Sequence, residues 1–286
     1  MRTIVSKSPD TELTLETAPP LSAGEGEVVL DVRAIGVGRV DLIMRQVVPA
    51  AFVPGIEVAG VVSETGRGVD PAWRGRRVFA RLQGGAYADQ VVVASTVVVA
   101  MPDALSFEAA VGAGINALVA YFSMARTHAV AGERVLVRGA RGGIGHLAVQ
   151  MAANLGAEVL QAARDGAPQP ADVVVDVVGG AEVGRYLAQL NANGRYLLAG
   201  ISAGMPAADF AAPLMEDFRR SRSIITLSLD TVADGELNRA TGGIFADIAA
   251  GRLAPLIAAT FPLEQAHQAH QRLAAGGTAG KIILVP

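Results

Sequence analysis

The segment Val135-Leu-Val-Arg-Gly-Ala-Arg-Gly-Gly-Ile-Gly145, running through His146 to Ala157 and on into Glu158-Val-Leu-Gln-Ala-Ala-Arg164, constrains the fold of this chain most. Its apolar run Val135-Leu-Val137 is short enough for a strand buried on both faces. Gly139, Gly142, Gly143 and Gly145 follow at once, where positive φ and close backbone approach are needed. From Ile144, apolar residues recur at Leu147, Ala148, Met151, Ala152 and Leu155, a helical period that stops at Gly156. A second strand ends at Ala163-Arg164. Strand, glycine turn, helix and strand in that order present a helix N-terminus to a pyrophosphate. Gly139, Ala140, Arg141, Gly142, Gly143, Ile144 and Gly145 are the expected contacts.

The end of the second strand is where a dinucleotide site reads the adenosine ribose. An acid there accepts from a 2′-hydroxyl, whereas an arginine suits a 2′-phosphate. Arg164 points to NADP over NAD, with a solvated arginine at a strand end as the plain alternative.

The 286 residues exceed one typical core, so two domains, or one inserted in another, are expected. A net charge of -3 with scattered arginines lacks the basic stripe that a nucleic-acid partner requires. No apolar run is read as a membrane span and the Met1 end shows no signal peptide, so the expected setting is a bacterial cytoplasm. The absence of cysteine excludes disulfides, thiolate zinc sites and cysteine nucleophiles together.

Up to about residue 105 the chain carries short β signals: Glu27 to Ile35, Val58 to Val62, Arg77 to Ala80 and Tyr87 to Ala94, separated by Gly, Pro and Asp turns. That pattern reads as a compact all-β unit, barrel-like. Ser106 then serves as an N-cap with Glu108 in the first turn. Strands and helices alternate to about Gly251, before a helix from Leu263 to Ala275 and a last strand from Lys281 to Val285.

Together these segments resemble the zinc-free medium-chain dehydrogenase/reductases, in particular the quinone oxidoreductase (zeta-crystallin-like) branch. The carriers are Val32-Arg-Ala-Ile-Gly-Val-Gly-Arg-Val-Asp41, Val53-Pro-Gly-Ile-Glu-Val-Ala-Gly-Val-Val62, Gly85-Ala-Tyr-Ala-Asp89, Met101 to Phe107, the glycine block, Asp172 to Gly180, Gly194 to Gly200 and Gly280 to Leu284. The resemblance implies an α/β chain: a GroES-like β-barrel domain over 1–107 and 252–286, and a Rossmann-type doubly wound parallel sheet over 108–251. It further implies a cleft between them, a homodimer, and hydride transfer from NADPH to a quinone or an α,β-unsaturated carbonyl, a small-molecule substrate. Val178, Gly179 and Gly200 join the cofactor contacts on the same basis. Zinc-using relatives carry a His beside the Glu of Pro-Gly-x-Glu, and here Ile56 stands there, so no metal is expected.

The chain also departs from that pattern. Only seven residues, Asp165 to Ala171, separate Arg164 from Asp172, two of them proline, where relatives place a further helix, strand and helix. A crossover needs about a dozen residues or more, so one edge helix-strand unit of the sheet is missing, and with it a wall of the adenine pocket. At the nicotinamide end the family's Asn is Gly38, its Thr is Val119, and a loop Gly is Leu227 or a neighbour. Gly75-Arg-Arg-Val78 is a change of surface.

Two functions remain open on this reading: the NADPH-dependent reductase, and a redox-inactive relative performing an isomerisation, elimination or cyclisation in natural-product biosynthesis. Asp41, Asn116 and Tyr121 are the acid–base candidates. For Asp41 a helix-capping role is the structural alternative, for Asn116 a helix-start hydrogen bond, and for Tyr121 a core position. Glu57 is expected as a structural acid. His146 rides behind the glycine turn, and His267 and His270 share a helix face expected to be solvated.

Overall fold

The computed structural model describes residues 1–163 and 166–286; Arg164 lies outside them. Strands β1 (Arg2–Val5), β2 (Thr14–Thr17), β3 (Glu27–Val37), β4 (Glu57–Thr65), β5 (Arg77–Arg81), β6 (Gln90–Ala94) and β7 (Val98–Ala100) come first, with helix α1 (Arg39–Val47) between β3 and β4. Helix α2 (Phe107–Thr127) leads into β8 (Arg134–Arg138), α3 (Gly143–Asn154), β9 (Glu158–Gln161), β10 (Ala171–Asp176), α4 (Val183–Leu187), β11 (Leu190–Leu198), α5 (Ala212–Glu216) and β12 (Ser223–Thr226). The chain closes with α6 (Asp234–Ala249), β13 (Ile257–Pro262), α7 (Ala266–Ala274) and β14 (Lys281–Val285).

Two compact units result, Met1–Ile115 with Ala233–Pro286, and Asn116–Val232. The boundaries fall inside those expected from sequence, 108 and 251, for physical reasons. Helix α2 is broken at Gly114 (φ 28, ψ -124), so its first turns belong with the barrel. Helix α6 sets Phe245 edge-on against Phe79 of β5, their centroids 5.6 Å apart, and so joins the barrel too.

The first unit is built on a seven-stranded sheet ordered β13-β14-β3-β4-β5-β7, with β6 also paired to β3. Period-two alternation along β3 and β4 sends Val28, Leu30, Val32, Val58 and Val62 into one apolar core with Ile4, Tyr87 and Leu284. The C-terminal strand β14 inserts between β13 and β3, so the tail completes this unit.

The second unit holds a parallel five-stranded sheet, β12-β11-β10-β8-β9. The apolar runs of β8 and β10 are buried on both faces, with Val135, Leu136, Val137, Val173, Val174 and Val175 all inside. Strand β9 lies at the edge of the described sheet, and the short connection over 166–170 carries no regular element. The missing edge unit inferred from the residue count is thus seen in the topology.

Ser106 caps α2 as its sequence suggested, its Oγ accepting from the Ala109 amide at 3.0 Å. One expectation needs correction. By length and composition alone, Phe107–Thr127 would pass for a membrane span, because its charges sit only at the two ends. The helix is 61% buried over its most apolar stretch, which fits a core helix of the fold.

Candidate functional site

Sheet order locates the site in the second unit. From β8 the chain passes to β9 on one side and then to β10 on the other, so the strand order reverses between β8 and β10. In an open parallel sheet the crevice beyond the carboxyl ends of such a strand pair is where ligands bind. The loops leaving those two ends are Gly139–Gly142 and Val177–Gly180.

Gly139 (φ 80) makes the turn that sequence assigned it, and the Gly142 amide closes that turn on the Gly139 carbonyl at 2.9 Å. Helix α3 follows, with Gly142 as N-cap. A Cβ on Gly145 would stand 2.2 Å from the Gly139 carbonyl oxygen, so the helix head packs on the turn only without a side chain there. The first amides of a helix have no intrahelical acceptor, and the macrodipole makes that end positive. Gly142, Gly143 and Ile144 are half-buried, Gly145 and Ala140 are buried, and Arg141 is exposed beside them.

The facing loop is tied down by side chains. Asp176, fully buried at the end of β10, accepts from the amides of Val178 (2.8 Å) and Gly179 (3.1 Å) through Oδ1. Its Oδ2 takes Arg138 Nη1 at 2.6 Å and the Tyr196 hydroxyl. Arg138 also donates to the Gly179 carbonyl at 3.3 Å, and its guanidinium lies 4.2 Å over the Tyr186 ring. Burial, the largest single cause, lowers the Arg138 pKa, but the Asp176 charge together with Tyr196 and Tyr186 turns the net shift upward. Burial raises the Tyr196 hydroxyl, and Asp176 adds to that. Gly200 approaches from β11: a Cβ there would lie 2.7 Å from the Val177 carbonyl. The Ala203 amide donates to Val178 O and the Gly180 amide to Gly204 O, each at 2.8 Å. The Val177–Gly180 and Gly200–Gly204 loops thus meet backbone to backbone, and Gly139 packs against the Val177 and Val178 side chains, leaving the head of α3 to face an anion. This cradle fits a diphosphate.

Arg138, Asp176 and Tyr196 were not singled out from sequence. The available signal was a polar residue closing an apolar strand (Val-Leu-Val-Arg138, Val-Val-Val-Asp176), which has no reason to be there unless it is paired.

The acid–base candidates separate. Asn116 and Tyr121 both belong to the second unit, five residues apart on α2, hence about 140° apart around the helix. They do not share a face. Tyr121 is 44% exposed, with its ring edge-on to Phe122, rather than in the core. Asp41 belongs to the first unit and is 1% exposed. Its Oδ2 accepts from the Gly38 amide at 2.7 Å, the capping role set beside catalysis above, and from the Tyr87 hydroxyl at 3.1 Å. Burial is the main cause that raises its pKa to about 6, opposed by the Gly38 amide, Lys281 and Tyr87. Glu57 is the structural acid expected: it is buried, paired with Lys281, and accepts from the Ile115 amide at 2.9 Å. Val119 is half-buried on α2 and Leu227 is half-buried just after β12.

The expectation of a solvated His270 is overturned. His270 is 2% exposed, and its Nε2 lies 3.0 Å from the Tyr87 hydroxyl. Helix α7 packs against α1 and β14, and the phenol supplies the polar partner that makes burial tolerable. Burial pushes the imidazole down to about 3, with the Arg45 charge acting the same way. His267 is half-buried, with Nε2 3.1 Å from the Gln271 amide. Among the described residues no three of His, Cys, Asp and Glu gather as a metal site.

Comparison with known proteins agrees with this geometry. The profile of the alcohol dehydrogenase GroES-like domain matches residues 24–103, and that of the zinc-binding dehydrogenases matches 150–284. Rat quinone oxidoreductase is 29% identical, over 91% of this chain and 89% of its own length. The Escherichia coli quinone oxidoreductase complexed with NADPH superposes with a TM-score of 0.90 at 25% identity, covering all of both chains. A mycobacterial quinone oxidoreductase gives 0.87 at 25% identity, again covering all of both chains. Fold and site together are similar to those of the medium-chain dehydrogenase/reductases. Within that class the chain is most like the quinone oxidoreductase-like oxidoreductases.

Proposed function

We propose that the protein is an NADPH-dependent reductase of quinones or α,β-unsaturated carbonyl compounds. The observation that carries this reading is the diphosphate cradle at the sheet reversal, where the head of α3 meets the loop held by Asp176 and Arg138. Gly139 to Gly145 would hold the diphosphate through backbone amides, while Val178, Gly179 and Gly200 supply the facing wall. Arg164 is assigned to the 2′-phosphate from sequence. When bound, the dinucleotide supplies a hydride; the chain's own task is to orient an acceptor and exclude water. Asn116 and Tyr121 are alternatives for orienting or protonating that acceptor, since one face of α2 cannot present both.

The resemblance implies a homodimer in the cytoplasm; for the dimer alone, β12 at the other edge of the described sheet lends support. The segment leading to it exposes Met205, Met215 and Phe218. The edge position of β9 favours a second reading, a non-redox enzyme on the same scaffold, because the adenine loses a neighbouring unit. Turnover decides between them. Purified protein with NADPH is expected to reduce a simple quinone or enone, with NADPH absorbance falling. Absence of any acceptor-dependent NADPH oxidation across a quinone and enone panel would reject the reductase.

A further inference from the structure

Helix α1 is built inside out. Ile43 and Val47 are exposed, while Asp41 and Arg45 are buried. Burying charged side chains stabilises nothing unless their partners compensate. Arg45 is met by Ser6 Oγ at 3.2 Å, by the Pro9 carbonyl at 3.1 Å and by the Thr11 carbonyl. Asp41 is held differently, at the end of a buried row of three side chains from α1, the loop before β6, and α7. Its Oδ2 lies 3.1 Å from the Tyr87 hydroxyl, which in turn lies 3.0 Å from Nε2 of His270. All three residues are buried.

A phenol has one proton to give. Burial, with the Asp41 and Glu57 charges, raises Tyr87 well above an ordinary tyrosine, so it stays a phenol. If its hydroxyl donates to Asp41, His270 must present Nε2–H; if it donates to Nε2, Asp41 must present Oδ2–H. Any other combination sets two lone pairs or two protons against each other. The tautomer of an imidazole is ordinarily set by a partner on its other nitrogen. Nδ1 of His270 has no hydrogen-bond partner among the described residues, and neither has Oδ1 of Asp41. Both ends of the row are therefore unpinned, and either direction is open to it. A proton on Asp41 belongs on Oδ2, where Tyr87 accepts it, because Oδ1 has nothing to donate to.

We propose that Asp41, Tyr87 and His270 form a two-state proton switch: gain of one proton by Asp41 reverses the Tyr87 hydroxyl and moves the single proton of the neutral His270 imidazole from Nε2 to Nδ1. Solvent delivers one proton to Nδ1. The Nε2–H bond then breaks as a bond forms to the Tyr87 oxygen, and the former Tyr87 O–H bond breaks as Asp41 Oδ2–H forms. Lys281 and Glu57 face Asp41, while Arg45 and His267 face His270. Burial, and after it the Arg45 charge, lowers the imidazole to about 3, whereas burial raises the Asp41 carboxyl to about 6. The added proton therefore rests on Asp41 and not on the ring. Its effect reaches the start of α1, where the carboxylate holds the Gly38 amide at 2.7 Å. Protonation turns that charge-assisted bond into a neutral one, so the head of α1 and the ring on α7 respond to the same proton.

The test is a pH series of imidazole nitrogen–proton correlation spectra of the full chain, labelled with nitrogen-15. His270→Gln identifies the His270 signals among those of the 4 histidines. As the pH falls through about 6, the resonances of the protonated and the bare ring nitrogen are expected to exchange places, with the ring neutral on both sides. The Gly38 amide proton should shift with the same midpoint. In Asp41→Asn, which cannot ionise, His270 should keep one tautomer through the whole range. Tyr87→Phe, which cuts the row, should do the same. The wild-type series decides by itself if either variant fails to fold. One tautomer throughout, a doubly protonated ring in this range, separate midpoints for His270 and Gly38, or an exchange that survives in Asp41→Asn overturns the switch.

Discussion

Replacing Arg138 by Met should disturb both the stability and the ligand loop of the second unit. Arg138 is 7% exposed and Asp176 fully buried, so the substitution strands a carboxylate in the core beneath the Val178 and Gly179 amides. Breaking a buried pair by removing one partner costs about 3–5 kcal/mol. For a chain of this size that is roughly 6–20 °C in the melting temperature at about 2–4 °C per kcal/mol. Asp176→Asn should cost a similar amount, because it leaves the guanidinium alone while the amide oxygen still accepts from the loop. The double variant carries no buried charge and should be more stable than the sum of the single losses predicts, by about 2 kcal/mol or more. Calorimetric melts of all four proteins give the cycle, and NADPH titration of each reports the loop. If Arg138→Met melts within about 1 kcal/mol of wild type, or the single losses simply add, the network does not organise this site.

Acid sensitivity should trace to His270. Its folded pKa of about 3 lies below the ordinary 6.5, so its contribution is present above about 6.5 and lost as pH falls toward 3. His270→Gln, which keeps an acceptor for Tyr87, should flatten the decline of the urea midpoint between pH 7 and pH 5. Asp41 runs the other way: its folded value, raised to about 6 from 3.8, gives stability below 3.8 that is lost as pH rises through 6. Asp41→Asn should remove that loss, seen as a smaller change in midpoint between pH 4 and pH 6. Separate Tyr121→Phe and Asn116→Ala variants should split, one lowering kcat about tenfold or more and the other leaving it within about twofold. Equal large losses in both would contradict the helix geometry.

Local patterns were enough for much of the architecture. The alternation in Glu27 to Ile35, the Ser106 cap, the Gly156 stop and the Lys281–Val285 strand all depend on neighbours in sequence, and each is found where its own segment placed it. What could not be read depends on distant partners. His270 looked solvated because its helix offers it nothing, whereas the phenol that accommodates it comes from residue 87. Arg138 drew no reading from sequence, because the partners that close around it, Asp176 and Tyr196, each lie on another strand. The break at Gly114 followed the same logic: its φ of 28 and the Glu57 carboxylate against it come from the fold, not from the helical period.

Direct calorimetric titration of NADPH into the wild-type chain and into Gly145→Ala tests the diphosphate cradle most closely. The methyl group introduced by that substitution would stand 2.2 Å from the Gly139 carbonyl and force the head of α3 off the turn. Micromolar binding by wild type, weakened at least about tenfold in the variant while the fold persists, is the predicted result. Wild type that stays unbound at millimolar NADPH, or a variant that binds as well as its parent, would contradict it.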